Sequence, residues 1–567
     1  MKIPGLNLPE ILTVEPQSVR ITPTKHGTCL QGVNLLEVSL GDAQWFGLGA
    51  LYDQRLPLNK VTIPEGRLLS ADPMAAHLGI PGVLGILEPF LFNSKGLGIL
   101  VEGDDITFAF NPPRGLPTAS DRRVKLSDST STNPVLKFEG KNLNITIFSC
   151  ADARLVVQGY WDGLSMPPPP PPELLGRPMW TTWANFKNDI SQETILQFAR
   201  DILSHGFPSG SFGIDAKWQQ TFGDLDFDSV RFPDPAGMIS ELTKLGFSPT
   251  LWCVPFFNRD SRNFSTAIER QFVMKEANSQ KPYVGKWWEG EAAFLDLANP
   301  EALAWHMENL QSVASKFKLS GFKFDAGEAA FYANHEIFPN QNQGAHCASV
   351  AYVRAISSKF PWSDARTAWK TQDCKVLLRQ WDKRTAWGFD NGLASCITQA
   401  ITLNLLGYPF SFPDMIGGNE YHDDRADAEL MIRWVQAVAP MPFMQFSIPP
   451  WRFGKECNEI CLRYVKLHRE LSSLHNALLC SKGPLLRPVW WMAPDSPDAL
   501  HCEDEYLVGD DLLVAPVIEK GSAARDIWLP PGQWKPLVGA NQVHRGPKWL
   551  GDYPAPLETL PLFARVN

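Results

Sequence analysis

The chain has 567 residues, more than one ordinary domain needs, and its 44% apolar and 20% charged residues suit a folded chain with a large core, not a disordered one. Lysine plus arginine less aspartate plus glutamate gives 52 − 61 = −9, with no basic block, which excludes the clustered cations that nucleic acid requires. No apolar run of roughly 18 residues is available to span a bilayer. Met1-Lys2-Ile3-Pro4-Gly5 lacks the charged-then-apolar pattern of a secretory leader, so the expectation is a cytoplasmic location or a mature fragment without its leader.

Ten cysteines in so long a chain do not make a disulfide scaffold. Cys457 and Cys461 stand at helical i,i+4 spacing, no Cys/His cluster has zinc spacing, and HExxH is absent. Buried free thiols are expected, and no metal or cofactor. Most of the twenty tryptophans must be core, but a chain so rich in them suits a ligand with flat apolar faces, such as a sugar.

Up to residue 166 the chain reads as short strands separated by turn residues, for example Gly96–Glu102 and Leu143–Phe148, with no convincing helix; a β-sandwich over 1–166 is expected. Six prolines, Pro167 to Pro172, mark a linker over 167–176, because such a run continues neither sheet nor helix. From 177 to 481 short apolar strands alternate with amphipathic helices. Strands are expected at Trp180–Trp183, Gly210–Asp215, Thr250–Pro255, Gly321–Asp325, Asp364–Ala368, Lys375–Leu378, Tyr408–Phe412 and Pro440–Met444. Ser191 and Asn299-Pro300 open helices, while Gly206 and Gly246 close them. Eight strands over about 270 residues point to a (β/α)8 TIM barrel, an α/β fold. The alternative, an open doubly wound sheet, lacks a glycine-rich phosphate loop after any strand. A small C-terminal β domain follows over 482–567, with a strand at Asp511–Ile518 and a turn at Pro530-Pro-Gly532.

A barrel of this kind gathers its reactive groups at the C-terminal ends of its strands. There stand Asp215, Trp252, Asp325, Arg366, Asp382 and Asp414: four carboxylates, one arginine and no histidine. Taken singly, an aspartate can pair with a neighbour or cap a helix, Trp252 can be core, and Arg366 can be a plain ion-pair partner. Asp325 differs, because it follows the apolar Phe322-Lys-Phe324 and precedes Ala326-Gly327, where small residues leave room for a ligand. Together the set favours chemistry done by carboxylic acids, of which glycoside hydrolysis is the commonest form without metal ligands.

Four ordered stretches resemble glycoside hydrolase family 31. Gly321-Phe-Lys-Phe-Asp-Ala-Gly-Glu328 is similar to the nucleophile strand. Lys286-Trp-Trp-Glu-Gly290 with Phe294–Pro300 is similar to the tryptophan loop. Leu393–Gly418 resembles the seventh-strand region, and Gly509–Val517 with Trp528–Gly532 resembles the C-terminal domain. Within the family, Ala326–Glu328 and Phe412–Gly418 look most like the myogenesis-regulating glycosidase branch, linked to α-galactosides and with relatives acting on α-glucosides.

The resemblance implies a retaining exo-α-glycosidase on a carbohydrate substrate, with Asp325 as nucleophile and Asp382 as acid/base. Arg366, sixteen residues before Asp382, would lie beneath the reacting sugar. Asp215, Lys323 and Asp414 would bind substrate, and Trp252 and Trp288 would line the pocket. Two departures stand out. The usual Trp-x-Gly-Asp signature reads Gln380-Trp-Asp-Lys383, which leaves Asp390 as a competitor for the acid/base role; Ser447 stands where the family has a histidine. The insert Gln219–Asp228 is acidic and would repel a sulfonated sugar. An α-glucosidase, a transglycosylase and a catalytically silent sugar binder are the alternatives, and oligomeric state stays open.

Overall fold

The computed structural model describes residues 11–566 apart from 16–18, 26, 73–83, 104, 111–124, 127–134, 277–278, 280, 333–343, 345 and 540–541. Met1 to Gly5, read above for a leader, lie outside the described residues.

Eight short parallel strands form the central sheet: Met179–Thr181, Ser211–Ile214, Ser248–Cys253, Gly321–Phe324, Ser363–Ala365, Val376–Arg379, Ser411–Phe412 and Gln445–Phe446. Each pairs with its neighbour in chain order. The eighth returns to the first through Met179–Gln445, and a bridge from Met415 to Gln445 nearly closes the ring. Most residues of these strands are buried, because a parallel sheet covered by helices is enclosed on both faces. The first seven lie within one to three residues of the sequence expectation. The eighth does not: Pro440 and Pro442 cannot supply ladder N–H groups. The helix Ala428–Val438 therefore runs into a turn there, and the strand forms at Gln445–Phe446.

The expected caps form. Ser191 and Thr194 make a reciprocal capping box, and Asn299 Oδ1 accepts from Glu301 and Ala302 N–H ahead of the helix Pro300–Phe317. Leu303, Met307 and Leu310 bury one face of that helix.

In the N-terminal region the described strands join one ten-stranded antiparallel sheet, but the region is not all β. The helix Ala153–Gly163, capped by Asp152, buries Ala153, Val156, Val157, Tyr160 and Trp161 at 3.6-residue periodicity, and Trp161 Nε1 donates to Leu405 O of the barrel (3.2 Å). The proline run stays irregular until Pro172, which opens the short helix Pro172–Leu175. The C-terminal region is a six-stranded antiparallel sheet. Its Asp511–Ile518 candidate shortens to Leu512–Val514. Pro530-Pro-Gly532 is not a turn but a register break within the long strand Ala524–Pro536. All ten cysteines are free, six of them buried. Among the described residues no helix is long and apolar enough to cross a membrane.

Candidate active site

Three parts of the chain build the mouth of the barrel. The strand ends supply the floor. A three-stranded hairpin sheet, Phe256–Asn258, Val284–Trp287 and Gly290–Phe294, follows the third strand. Gly290, at φ +112°, makes the turn that carries Trp288, and Trp287 Nε1 donates to Asn258 Oδ1 (2.9 Å) to fix it. The N-terminal region supplies Asp72. Together these enclose a cavity of about 240 Å³ lined by Asp72, Trp183, Asp215, Ala216, Trp252, Trp288, Lys323, Asp325, Arg366, Asp382, Tyr421 and His422.

Seven of the eight residues selected from sequence therefore line one cavity. Asp414 does not. It is fully buried behind it, where Oδ2 accepts from Lys383 N–H (2.8 Å) and Asn419 Nδ2 (2.7 Å). Asp390 is exposed and paired with Arg384 (2.7 Å), outside the cavity lining. Ser447 is buried and accepts from Asn185 N–H (3.2 Å). The carboxylates of the Gln219–Asp228 insert turn elsewhere. Asp224 and Asp226 pair with Arg262, and Asp228 accepts from Val230 and Arg231 N–H, so their charge does not face the cavity and the argument against an anionic sugar falls.

The electrostatics centre on Arg379, which exposes no side-chain surface. Its guanidinium donates to Asp325 Oδ1 (3.1 Å) and Asp382 Oδ1 (2.9 Å), reaches both Asp364 oxygens at 3.3 Å, and lies 3.7 Å from Asp414. Arg366 holds Asp325 (2.9 Å), Glu328 (2.6 Å) and Asp72 (3.1 Å). Lys323 Nζ pairs with Asp215 (2.8 Å), and Trp252 Nε1 donates to Asp325 Oδ2 (2.9 Å).

The consequences differ from acid to acid. Burial alone would push Asp325 up, but Arg366, Arg379, Lys323 and the Trp252 N–H hold it well below the usual carboxylate range. Burial dominates elsewhere, raising Glu328 to about 7 despite Arg366, and Asp364 and Asp414 to about 6 despite Arg379. Asp325 is thus a carboxylate fixed in its ionised form. Asp382 stands opposite on the same guanidinium, with its other oxygen receiving the Tyr421 hydroxyl at 2.5 Å. One permanent anion beside a second carboxyl in a tryptophan-lined cavity is an arrangement suited to acid/base-assisted displacement at a sugar carbon.

Arg379, Asp72, Tyr421 and Trp183 escaped the sequence reading. Arg379 carried a signal, as the first polar residue after Val376-Leu-Leu378 at a strand end. Asp72 and Tyr421 carried none, since they arrive from a remote region and a long loop. Among the described residues one group, Cys502, Asp504 and Glu505, brings three potential metal-binding atoms within 4.8 Å of one another. Arg525 already pairs with Asp504 (2.9 Å) and Glu505 (3.0 Å), and none of the three lines the cavity.

Comparison with known proteins agrees with this architecture. Residues 167–474 match the glycosyl hydrolases family 31 TIM-barrel domain and 482–567 the family's C-terminal domain. The myogenesis-regulating glycosidase of Mus musculus is 30% identical over 92% of this chain and 75% of its own. The SITS-binding protein of Tetronarce californica is 27% identical over 99% and 79%. Among solved structures, a family 31 dextranase of Flavobacterium johnsoniae complexed with glucose superposes with TM-score 0.77 at 19% identity, covering 98% of this chain and 73% of that one. With both domains matched across most of its length, the chain belongs to glycoside hydrolase family 31 and is a glycoside hydrolase.

Proposed function

We propose that the enzyme is a retaining exo-acting α-glycosidase, with α-galactosides as its favoured substrates. The observation that carries this reading is the shared Arg379 guanidinium, which brings Asp325 and Asp382 together while their other partners make them unequal. Asp325, ionised, attacks the anomeric carbon and forms a glycosyl-enzyme ester. Asp382, protonated at that moment, gives its proton to the leaving oxygen, then takes one from the water that cleaves the ester. A common guanidinium favours the narrow carboxylate separation of retaining enzymes, about 5–5.5 Å, over the roughly 6.5–9.5 Å of inverting ones.

Arg366, Asp72 and the Lys323–Asp215 pair offer charge-assisted hydrogen bonds to sugar hydroxyls, and Trp288 and Trp252 offer apolar faces. A cavity of about 240 Å³, below the ~300–1,000 Å³ of drug-sized ligand pockets, suits one terminal sugar. Preference for α-galactosides is supported by the likeness of Ala326–Glu328 and Phe412–Gly418 to the myogenesis-regulating glycosidase branch. Asp414, enclosed behind Arg379, is a structural acid in this reading and not a hydroxyl ligand.

The test is hydrolysis of aryl α-galactosides, α-glucosides and α-xylosides by wild type and Asp325→Ala, with product anomers followed by NMR. Galactoside turnover with retention, lost in the variant, is expected. Glucoside-only turnover would keep the mechanism and overturn the substrate, and inverted product would overturn the mechanism. Sugar transfer to an acceptor would replace hydrolysis by transglycosylation, and binding without turnover would leave a silent binder.

A further inference from the structure

The proposed mechanism uses Asp382 but not the side chains stacked above it. Tyr421 sits on the segment after the seventh barrel strand and lines the cavity. Its hydroxyl is 2.5 Å from Asp382 Oδ2. The same phenolic oxygen receives Trp183 Nε1–H at 2.8 Å, and the two rings meet edge to face at 6.3 Å. Lys187 Nζ lies over both rings, 5.3 Å from that of Trp183 and 5.1 Å from that of Tyr421, and is anchored to Ala184 O (3.1 Å) and Asn419 O. An indole N–H can only donate. With that bond occupying an acceptor site on the phenol, the Tyr421 proton is left to point at Asp382.

The other Asp382 oxygen is equally constrained. Oδ1 faces Arg379 Nη1 at 2.9 Å, and a guanidinium has no acceptor site. A proton on Oδ1 would face a guanidinium that cannot accept it, whereas the Tyr421 hydroxyl can turn and accept on its second lone pair, so the transferable proton belongs on Oδ2, the oxygen beside Tyr421. We propose that Tyr421, oriented by Trp183, is a positioning residue for the acid/base: it fixes the Asp382 carboxyl so that Oδ2 carries the proton passed to the leaving oxygen. The proposal rests on the reading of Asp382 as acid/base.

The remaining charges around Asp382 are Arg379, Lys323 on the fourth strand and Asp325 at its end, Arg366 after the fifth, Asp414, and Lys187. None of them changes when the Tyr421 hydroxyl alone is removed, so Tyr421→Phe isolates the hydrogen bond while retaining the ring.

The experiment measures kcat/KM against pH for Tyr421→Phe, Trp183→Phe and Asp382→Asn on aryl glycosides of graded leaving-group pKa. Tyr421→Phe is expected to lose roughly tenfold or more on the poorest leaving groups and least on the best. Trp183→Phe should show the same pattern more weakly, because it frees the phenol without removing it. A uniform loss across leaving groups would reduce Tyr421 to ring packing and overturn the proposal. If Asp382→Asn itself showed no leaving-group dependence and no rescue of turnover by azide, the acid/base reading would fail first, and this proposal with it.

Discussion

Arg379→Met is the perturbation that most directly tests the charge balance of the site. Arg379 contacts Asp325, Asp364 and Asp382, lies 3.7 Å from Asp414, and is wholly inaccessible. Methionine fills similar volume without charge. Removing one partner from a buried ionic cluster costs on the order of 3–5 kcal/mol, mainly because the remaining charges are left uncompensated. That cost must depend on pH. Asp364 and Asp414 already stand at about 6, against an ordinary 3.8, through burial that Arg379 only partly offsets. An acid with a raised folded pKa binds a proton that the unfolded chain lacks, so stability is greatest below the unfolded value and falls as pH rises to the folded one. Without Arg379 both values move further up. The deficit of the variant should therefore narrow between pH 7.5 and 5.5, by roughly 1–2 kcal/mol for each acid affected. Thermal unfolding of wild type and variant at both pH values measures it, with a midpoint lower by about 3–4 °C expected at pH 7.5. Adding Asp364→Asn should return part of the loss, since an amide leaves one anion fewer. An equal deficit at the two pH values, or one below about 1 kcal/mol at pH 7.5, would refute the argument that Arg379 balances ionised acids.

Acid sensitivity should have a second source in buried neutral histidines. Burial pushes His306 and His468 down to about 4 and His475 to about 3, from an ordinary 6.5, so the stability they allow is complete above 6.5 and lost as pH falls toward 4. Each costs about 2 kcal/mol at pH 5. Neither ring nitrogen of His306 has a hydrogen-bond partner, so His306→Leu should be near neutral at pH 7.5 and relatively stabilised at pH 5; parallel melting curves for the two proteins would contradict this. Gly85→Ala tests how the N-terminal sheet supports the site. A Cβ there would lie 1.0 Å from Trp381 Nε1, so the indole next to Asp382 must move. We expect about 1–3 kcal/mol of destabilisation from overpacking, and a kcat reduced at least about tenfold with a smaller change in KM; unchanged kcat would mean that Trp381 does not position Asp382.

The barrel was legible because its signals are local. Apolar runs, the Ser191 and Asn299 caps and the glycines after the helices each depend on a few adjacent residues, and all but the eighth strand hold. Errors arose where a local pattern had two physical outcomes. Pro440-Met-Pro442 reads as apolar, yet prolines cannot pair in a sheet interior; Pro530-Pro-Gly532 reads as a turn, yet a long strand absorbs it as a register break. The helix Ala153–Gly163 had clear amphipathic spacing and was masked by the β character of everything before it.

The site divides along the same line. Residues at strand ends could be ranked from sequence, because topology alone brings strand ends together. Position did not distinguish the acid that faces the cavity from the one behind it, so Asp414 was grouped with Asp325 although one binds only protein groups and the other lines the cavity. Tyr421 and Asp72 belong to segments whose course is set by tertiary packing, and they reach the two outer partners of the floor, Asp382 and Arg366. The asymmetry between the proposed nucleophile and acid/base follows from these additions. Asp325 is held by Arg366, Arg379 and Trp252, whereas Asp382 shares Arg379 and otherwise receives a neutral phenol through its side chain. Two aspartates of identical intrinsic acidity thereby meet different partners in one cavity, and the difference lies in which cations and donors the fold delivers to each.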